Sequence, residues 1–504
     1  MEIGVVGGGA SAVCFIDALT RTDLRDGGLT VYEPSPYLWR GRPFQPDLES
    51  VRVNAPPIEM SVRADEPDHF ERWLGAQPKV VDPDPFNGAL FPTRAQYGEY
   101  LVESAEAAIA ELRRRGWRVE IVRSPVTAVR PARDRLALRT AHGRCHVVDY
   151  GVLCIGGGRP QDAYRLAGTR GFVADPYPLR LTLAGIDPAA PVAVIGCGLT
   201  AVDVVLGLIW QGHTGPIRMV SRSGVLPGVR QRPITYELRH FTPDVLRRWA
   251  ATRDRVSLAE LVSLMRRELA EAGPAAEAEV RRELAAVATE PPLERLRRHL
   301  SDVNSSAIGM RILQRAVPDT GPDVWPLLSH QEQEHILRHH YRTLMSLCCP
   351  MPPESAATLV TLMESGQLTV HSGLTSVTPR PRGGFDVTVG DTTFAATYVV
   401  NAASAEAHRI PPMAQSLVRC LESEGIAARH PRGGLRLERA TSRLVPPHGR
   451  AHFQLFGIGD IAAGELFFTF GVPSLVDRAV DVATAIADVE LRGATRRLVA
   501  AGVA

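Results

Sequence analysis

Two glycine-rich loops carry the clearest chemistry in this chain. Residues 5–12 read VVGGGASA and residues 194–201 read VIGCGLTA. In the first, Gly7, Gly9 and Ala12 satisfy G-x-G-x-x-[GA]. Gly7 permits the tight turn, Gly9 lets a pyrophosphate approach the backbone, and Ala12 lets helix and strand pack closely. The helix that starts there aims the positive end of its dipole at the phosphates. Glu33 lies 21 positions beyond Ala12, at the end of the next apolar run, where a carboxylate can hold both ribose hydroxyls. Gly196, Gly198 and Ala201 repeat the pattern, but the strand that follows ends in Ser221-Arg222 rather than in an acid. An acid would repel a 2′-phosphate, whereas serine and arginine can bind one, so NADPH is expected here in preference to NADH. An ordinary surface arginine is the alternative reading of Arg222. Two such loops serve to bring two nucleotide cofactors face to face, which points to redox chemistry with a flavin and a nicotinamide.

The elements around the loops follow from periodicity. An apolar run at 2–6, a helical pattern at 10–20 and a second run at 29–32 make a βαβ opening. A proline-rich excursion leads to a helix near 97–115, and then to short β runs over 117–158 that close on a buried strand. Residues 367–404 repeat that meander and closing strand, so the chain reads as two copies of one unit. The second copy holds helical segments over 235–365, such as LAELVSLMRRELAEA, which suit a cap over the active site or a dimerisation surface. A last strand ends in Gly459-Asp460, and a final helix runs on from Pro473. The fold class expected is α/β: two Rossmann-like dinucleotide-binding domains with β-meanders and a helical insertion. Its boundaries are 1–185 and 405–504 for the FAD domain, 186–234 for the start of the NADPH domain, 235–365 for the insertion, and 366–404 for the second meander.

Composition narrows the class. The chain has 504 residues, 45% hydrophobic and 22% charged, with a net charge of +2. This balance gives no case for nucleic acid or an acidic membrane surface. Lys79 is the single lysine among 57 basic residues and lies in a polar stretch, which argues against Schiff-base chemistry. The seven cysteines contain no C-x-x-C pair, which disfavours dithiol reduction and suits a reducing cytoplasm. Neither a signal peptide nor a membrane-length apolar stretch is visible, so a cytoplasmic location is expected.

Further motifs carry a resemblance. Val53-Asn54-Ala55-Pro56 followed by Met60-Ser61, DEPDHFERWL at 65–74, FPTRAQYGEYL at 91–101, GLTAVDVVLGLIWQGHTGPIRMVSRSGVLP at 198–227 and QEQEHILRHHYRTL near 331–344 resemble flavoprotein monooxygenases with two dinucleotide sites. The group is the one that includes FAD-dependent urate hydroxylases and amino-acid N-hydroxylases such as aspartate N-monooxygenase. The resemblance implies that NADPH reduces FAD, that O₂ adds to the flavin, and that a C4a-(hydro)peroxide hydroxylates a small-molecule substrate. It places Asn54 beside the flavin, where a carboxamide can both donate and accept; a turn residue before Pro56 is the alternative. Arg94 is expected to reach cofactor phosphate or the flavin edge, with surface solvation as the alternative. Asp460 resembles the Gly-Asp carboxylate that binds the ribityl chain of FAD. The chain departs from urate-hydroxylase-like members at 471–474 (GVPS) and 346–350 (SLCCP), which leaves the substrate open.

Arg40, Arg42, Tyr236, His240, His339 and His340 are the weaker candidates for substrate contact. The function expected is FAD-dependent, NADPH-using N- or C-hydroxylation, with no nucleic-acid or membrane partner and a possible homo-oligomer. The alternatives are a flavin dehydrogenase or reductase with another acceptor, and a non-catalytic nucleotide-binding partner protein.

Overall fold

A computed structural model of the chain describes residues 1–403, 410–452, 454–469 and 471–500. The expected α/β class is what it has. One five-stranded parallel sheet runs in the order Leu455–Ile458, Tyr150–Cys154, Glu2–Val6, Gly28–Tyr32, Arg118–Val122. A second runs Phe172–Val173, Tyr398–Asn401, Val192–Ile195, Ile217–Val220, Leu368–His371. The two orders correspond place for place, each with its glycine-loop strand in the centre. Each sheet also has a three-stranded antiparallel meander beside it, Val126–Ala132 to Cys145–Val148 in one half and Leu374–Pro379 to Thr392–Ala396 in the other.

Strands buried on both faces read as apolar runs rather than alternating ones. Tyr150–Cys154 and Val192–Ile195 are buried at every position. Against the first sheet packs the helix Ala10–Thr20, whose Phe15 and Ile16 are fully buried, each worth about 1.5–3 kcal/mol. Its other neighbours are Arg94–Arg114 and Val472–Ala500. The helix Leu199–Trp210 does the same for the second sheet, burying Val202, Val204 and Val205.

Eight α-helices, from Pro243–Thr252 to Pro353–Glu364, lie between Ile217–Val220 and Leu368–His371. Ser257 and Ser329 start two of them with capping boxes, which satisfy first-turn N–H groups. Buried Glu268 gathers the backbone N–H groups of Arg239, His240 and Phe241 and the Tyr236 hydroxyl. Buried Glu283 pairs with Arg295, Arg298 and His299. Although burial resists its charge, His299 and the two arginines hold the Glu283 carboxyl down at about 2. Arg295 also reaches the Leu226 carbonyl at 3.0 Å and so ties the insertion to the second nucleotide domain. The boundary expected between 404 and 405 lies outside the described residues.

Candidate functional site

The two loops have one geometry. Gly7 has φ +104° and Gly196 φ +119°, values that favour glycine. A Cβ on Gly7 would lie 2.2 Å from the Cys154 carbonyl oxygen, and one on Gly196 2.6 Å from that of Ala402. Each loop strand therefore runs tight against its neighbour, which a larger residue would push apart. Gly9 and Gly198 are the N-caps of their helices and supply no capping side chain. Ala12 and Val13 donate to the Gly9 carbonyl, as Ala201 and Val202 do to that of Gly198. The N–H groups of Ala10 and Ser11, and of Leu199 and Thr200, precede the first helical hydrogen bond and make none to the described residues. Ala12 and Ala201 are fully buried, and a Cβ on Gly198 would meet nothing within 4 Å. A Cβ on Gly9 would meet the Gly41 Cα at 3.3 Å; helix N-termini of this kind suit anions.

Past the neighbouring strands the halves diverge in charge. Glu33 accepts from the Gly8 N–H at 2.7 Å and from the Ser35 N–H at 2.8 Å. The carboxylate is thus fixed beside the loop, with lone pairs to spare for hydroxyl donors. In the second half the Ser221 hydroxyl accepts from the Gly224 N–H at 2.9 Å, and Arg222 is exposed. Among the described residues no carboxylate pairs with Arg222.

Asn54 sits where the insertion meets the first domain. Its Nδ2 donates to the Pro350 carbonyl at 3.4 Å, and its own carbonyl accepts from Arg230 at 3.1 and 3.3 Å. Arg230 also pairs with Glu59 at 3.3 Å. Residues 228–230 hydrogen-bond residues 346–351, so the insertion leaves and returns through one neck beside Asn54. A second contact joins the insertion to the segment after Gly459-Asp460. Trp325 stacks on Phe467 at 4.4 Å and donates to the Gly464 carbonyl, while Tyr341 meets Phe467 edge-on. Phe467 has φ +64°, an outlier for a bulky residue that tight surroundings must impose. Burial pushes the Asp460 carboxyl up to about 6, against the pull of the Gly157 N–H. The Thr469 hydroxyl beside it pulls the same way.

Arg94, expected to reach cofactor phosphate or the flavin edge, is engaged by protein groups. It forms an ion pair with Asp203 at 2.7 Å and donates to the Tyr177 hydroxyl at 2.8 Å and the Arg52 carbonyl at 3.1 Å. Its guanidinium groups are thus taken up by protein acceptors. Arg42 pairs with Asp175 and lies over the Tyr177 ring, and Arg40 pairs with Glu99. Tyr236 and His240 are held by Glu268, as described. His339 and His340 lie on the exposed side of a π-helical stretch, Ile336–His340, grouped with His335. Sequence reasoning missed Arg230, Glu59 and Trp325. In a chain this rich in arginine, nothing marks Arg230 out until the fold brings it to Asn54.

Comparison with known proteins agrees with this geometry. Residues 4–158 match the FAD-NAD(P)-binding family. No curated protein sequence matches the chain. Among solved structures, L-lysine 6-monooxygenase from Pseudomonas syringae is similar at 14% identity, with 96% of this chain and 98% of that one covered and a TM-score of 0.56. Ornithine hydroxylase from Pseudomonas aeruginosa is similar at 15% identity, with 97% and 98% covered and a TM-score of 0.54. Bacillithiol disulfide reductase from Staphylococcus aureus is similar at 12% identity, with 96% and 98% covered and a TM-score of 0.51. The chain carries an FAD-NAD(P)-binding domain and, over nearly its whole length, the fold of these flavoprotein oxidoreductases. Among the described residues no helix is long and apolar enough to cross a membrane.

The residues fit the cofactors that this fold implies. The N–H pairs at both loops, unengaged among the described residues, suit pyrophosphates, Glu33 suits a ribose, and the Asp460 carboxylate suits a chain of hydroxyls.

Proposed function

We propose that the protein is an FAD-dependent, NADPH-using monooxygenase that hydroxylates a small polar metabolite at nitrogen or carbon. The observation that carries this reading is the neck at Asn54. There the carboxamide of a first-domain loop meets the insertion, through Pro350 and Arg230. Bound FAD supplies the redox chemistry, taking electrons from the nicotinamide and passing them to O₂.

The chain's own residues hold and shield. The N–H groups of Ala10 and Ser11 take the FAD pyrophosphate, Glu33 a ribose and Asp460 the ribityl hydroxyls. Leu199 and Thr200 take the second pyrophosphate, and Ser221 with Arg222 the 2′-phosphate. Asn54 offers its carboxamide as donor and acceptor beside the reacting centre. The Trp325–Phe467–Tyr341 cluster excludes water from that side, as oxygen chemistry on a flavin requires.

The second reading is a reductase that hands electrons to another acceptor, favoured by the likeness in fold to bacillithiol disulfide reductase. Against a thiol acceptor site, burial pushes the Cys197 thiol beside the second loop up to about 11, far from a reactive thiolate. The test is NADPH oxidation under ¹⁸O₂ with a panel of small polar metabolites. One labelled oxygen in an organic product supports the monooxygenase. Rapid NADPH turnover with no labelled product supports the reductase, and purified protein without bound flavin overturns both.

A further inference from the structure

Three histidines meet on the insertion where its helix changes pitch. Ile336–His340 is a π-helical stretch between the helices His330–His335 and Tyr341–Cys348. On an α-helix the residues that share a face lie three or four apart. Here His335 and His340, five apart at the two ends of the stretch, bring their ring centroids to 5.0 Å. Their Nε2 atoms lie 3.2 Å apart. Single π-turns of this kind are rare, and frequent at functional sites.

That separation is the one a metal ion imposes. Imidazole binds zinc at about 2.0–2.1 Å, so two such bonds meeting at about 90–110° hold their nitrogens about 2.9–3.4 Å apart. Without metal the same pair makes an N–H···N hydrogen bond, which fixes both rings beforehand. A chelate whose ligands are already held loses less rotamer freedom on binding. Both residues are exposed, so a hydrated ion reaches them from solvent.

The surroundings select the ion. Glu332 accepts from the Ser329 hydroxyl and Glu334 pairs with Arg338, so the carboxylates of this turn are engaged. His339 lies to one side, its ring 5.0 Å from that of His335 and 6.5 Å from that of His340. Among the described residues no group of three or more His, Cys, Asp or Glu is placed around one metal ion. The arrangement is therefore a two-nitrogen chelate with its other positions in water. Imidazole nitrogen suits zinc, copper and nickel, whereas magnesium and calcium take oxygen.

We propose that His335 and His340 form a binding site for a divalent transition-metal ion of the zinc class, and that the ion clamps the two ends of the π-turn together. Tyr341 follows the turn at once and meets Phe467 edge-on at 6.1 Å, so the clamp also steadies the contact between the insertion and the segment after Asp460. Neither part depends on which reaction the flavin performs.

The test is calorimetric titration of Zn²⁺ into the full-length protein after treatment with a chelator, with Mg²⁺ as the oxygen-seeking control. Zn²⁺ is expected to bind and Mg²⁺ not to. His335→Gln and His340→Gln should each weaken Zn²⁺ binding about tenfold or more, at least the cost of losing an outer partner of a metal ligand. Both positions are exposed, so the variants keep the fold, which circular dichroism checks. Amide hydrogen exchange over 336–341 should slow on adding Zn²⁺ in the native chain and in neither variant. No Zn²⁺ binding up to about 1 mM overturns the proposal, as does binding that either variant leaves unchanged or that Mg²⁺ matches. Zinc bound through both histidines with exchange unslowed overturns the clamp.

Discussion

Arg94 and Asp203 meet at 2.7 Å within the junction of the two nucleotide domains, one at the start of a first-domain helix and the other on the second glycine-loop helix. Both are largely buried, and Tyr177 hydrogen-bonds each of them. Burial resists the charge, but Asp203 and Tyr177 raise the Arg94 guanidinium above its ordinary value. The pair therefore sets the relative placement of the two cofactor seats.

Removing one partner strands a buried charge. Arg94→Ala is expected to cost about 3–5 kcal/mol in chemical denaturation, whereas the double change Arg94→Met with Asp203→Leu should be near neutral. If the double variant melts normally but has lost its FAD, Arg94 binds the cofactor after all and the junction role is wrong.

Among the described residues no carboxylate pairs with Arg222, so its substitution should act on the ligand alone. Arg222→Ala is expected to raise KM for NADPH about tenfold to a hundredfold, the worth of a charged hydrogen bond, and to leave KM for NADH unchanged. Steady-state kinetics with both coenzymes decides the point. An unaltered NADPH/NADH preference would remove Arg222 from the site.

Asn54 contributes its side chain to the reacting centre and its backbone carbonyl to Arg230. Asn54→Ala keeps the carbonyl. It should therefore retain FAD and NADPH oxidation while hydroxylated product falls about tenfold, roughly one hydrogen bond's worth. Peroxide release measured against NADPH consumed gives the coupling. Unchanged coupling would make Asn54 a turn residue.

Asp460 links cofactor binding to pH. Its carboxyl in the flavin-free protein is raised to about 6, so burial favours the protonated form there. The stability this gives is fully present below the unfolded value near 4 and is lost as pH rises through 6. Hydroxyl donors favour the carboxylate, so FAD affinity should weaken as pH falls through 6. Fluorescence titrations between pH 5 and 8 are expected to show this slope in the native chain and not in Asp460→Asn. An equal slope in both would assign it to another group.

Much of the fold was legible because local signals agreed with each other. The helix expected at 10–20 is Ala10–Thr20, and the apolar runs at 2–6 and 29–32 are the strands Glu2–Val6 and Gly28–Tyr32. Apolar runs punctuated by glycine leave few other folds for these segments. The candidate site was legible only where the backbone does the binding, as at the two loops. Arg40, Arg42 and Arg94 looked free in the sequence because the carboxylates that engage them, Glu99, Asp175 and Asp203, lie far along the chain. Arg230 went unnoticed because no local pattern tells a buried arginine from an exposed one. Side-chain partners at long range are set by packing, which periodicity does not encode.

The strand Leu455–Ile458 hydrogen-bonds Tyr150–Cys154 in the first sheet, although about 300 residues separate them in the chain. The corresponding edge of the second sheet is made by Phe172–Val173, which precedes its partners. The second sheet can therefore be complete once residue 401 has emerged from the ribosome. The first must wait with an open edge and an unfinished flavin seat until residue 458 follows. The second glycine-loop sheet is then free to pair its strands first, and the first sheet closes later, across the whole of the intervening chain.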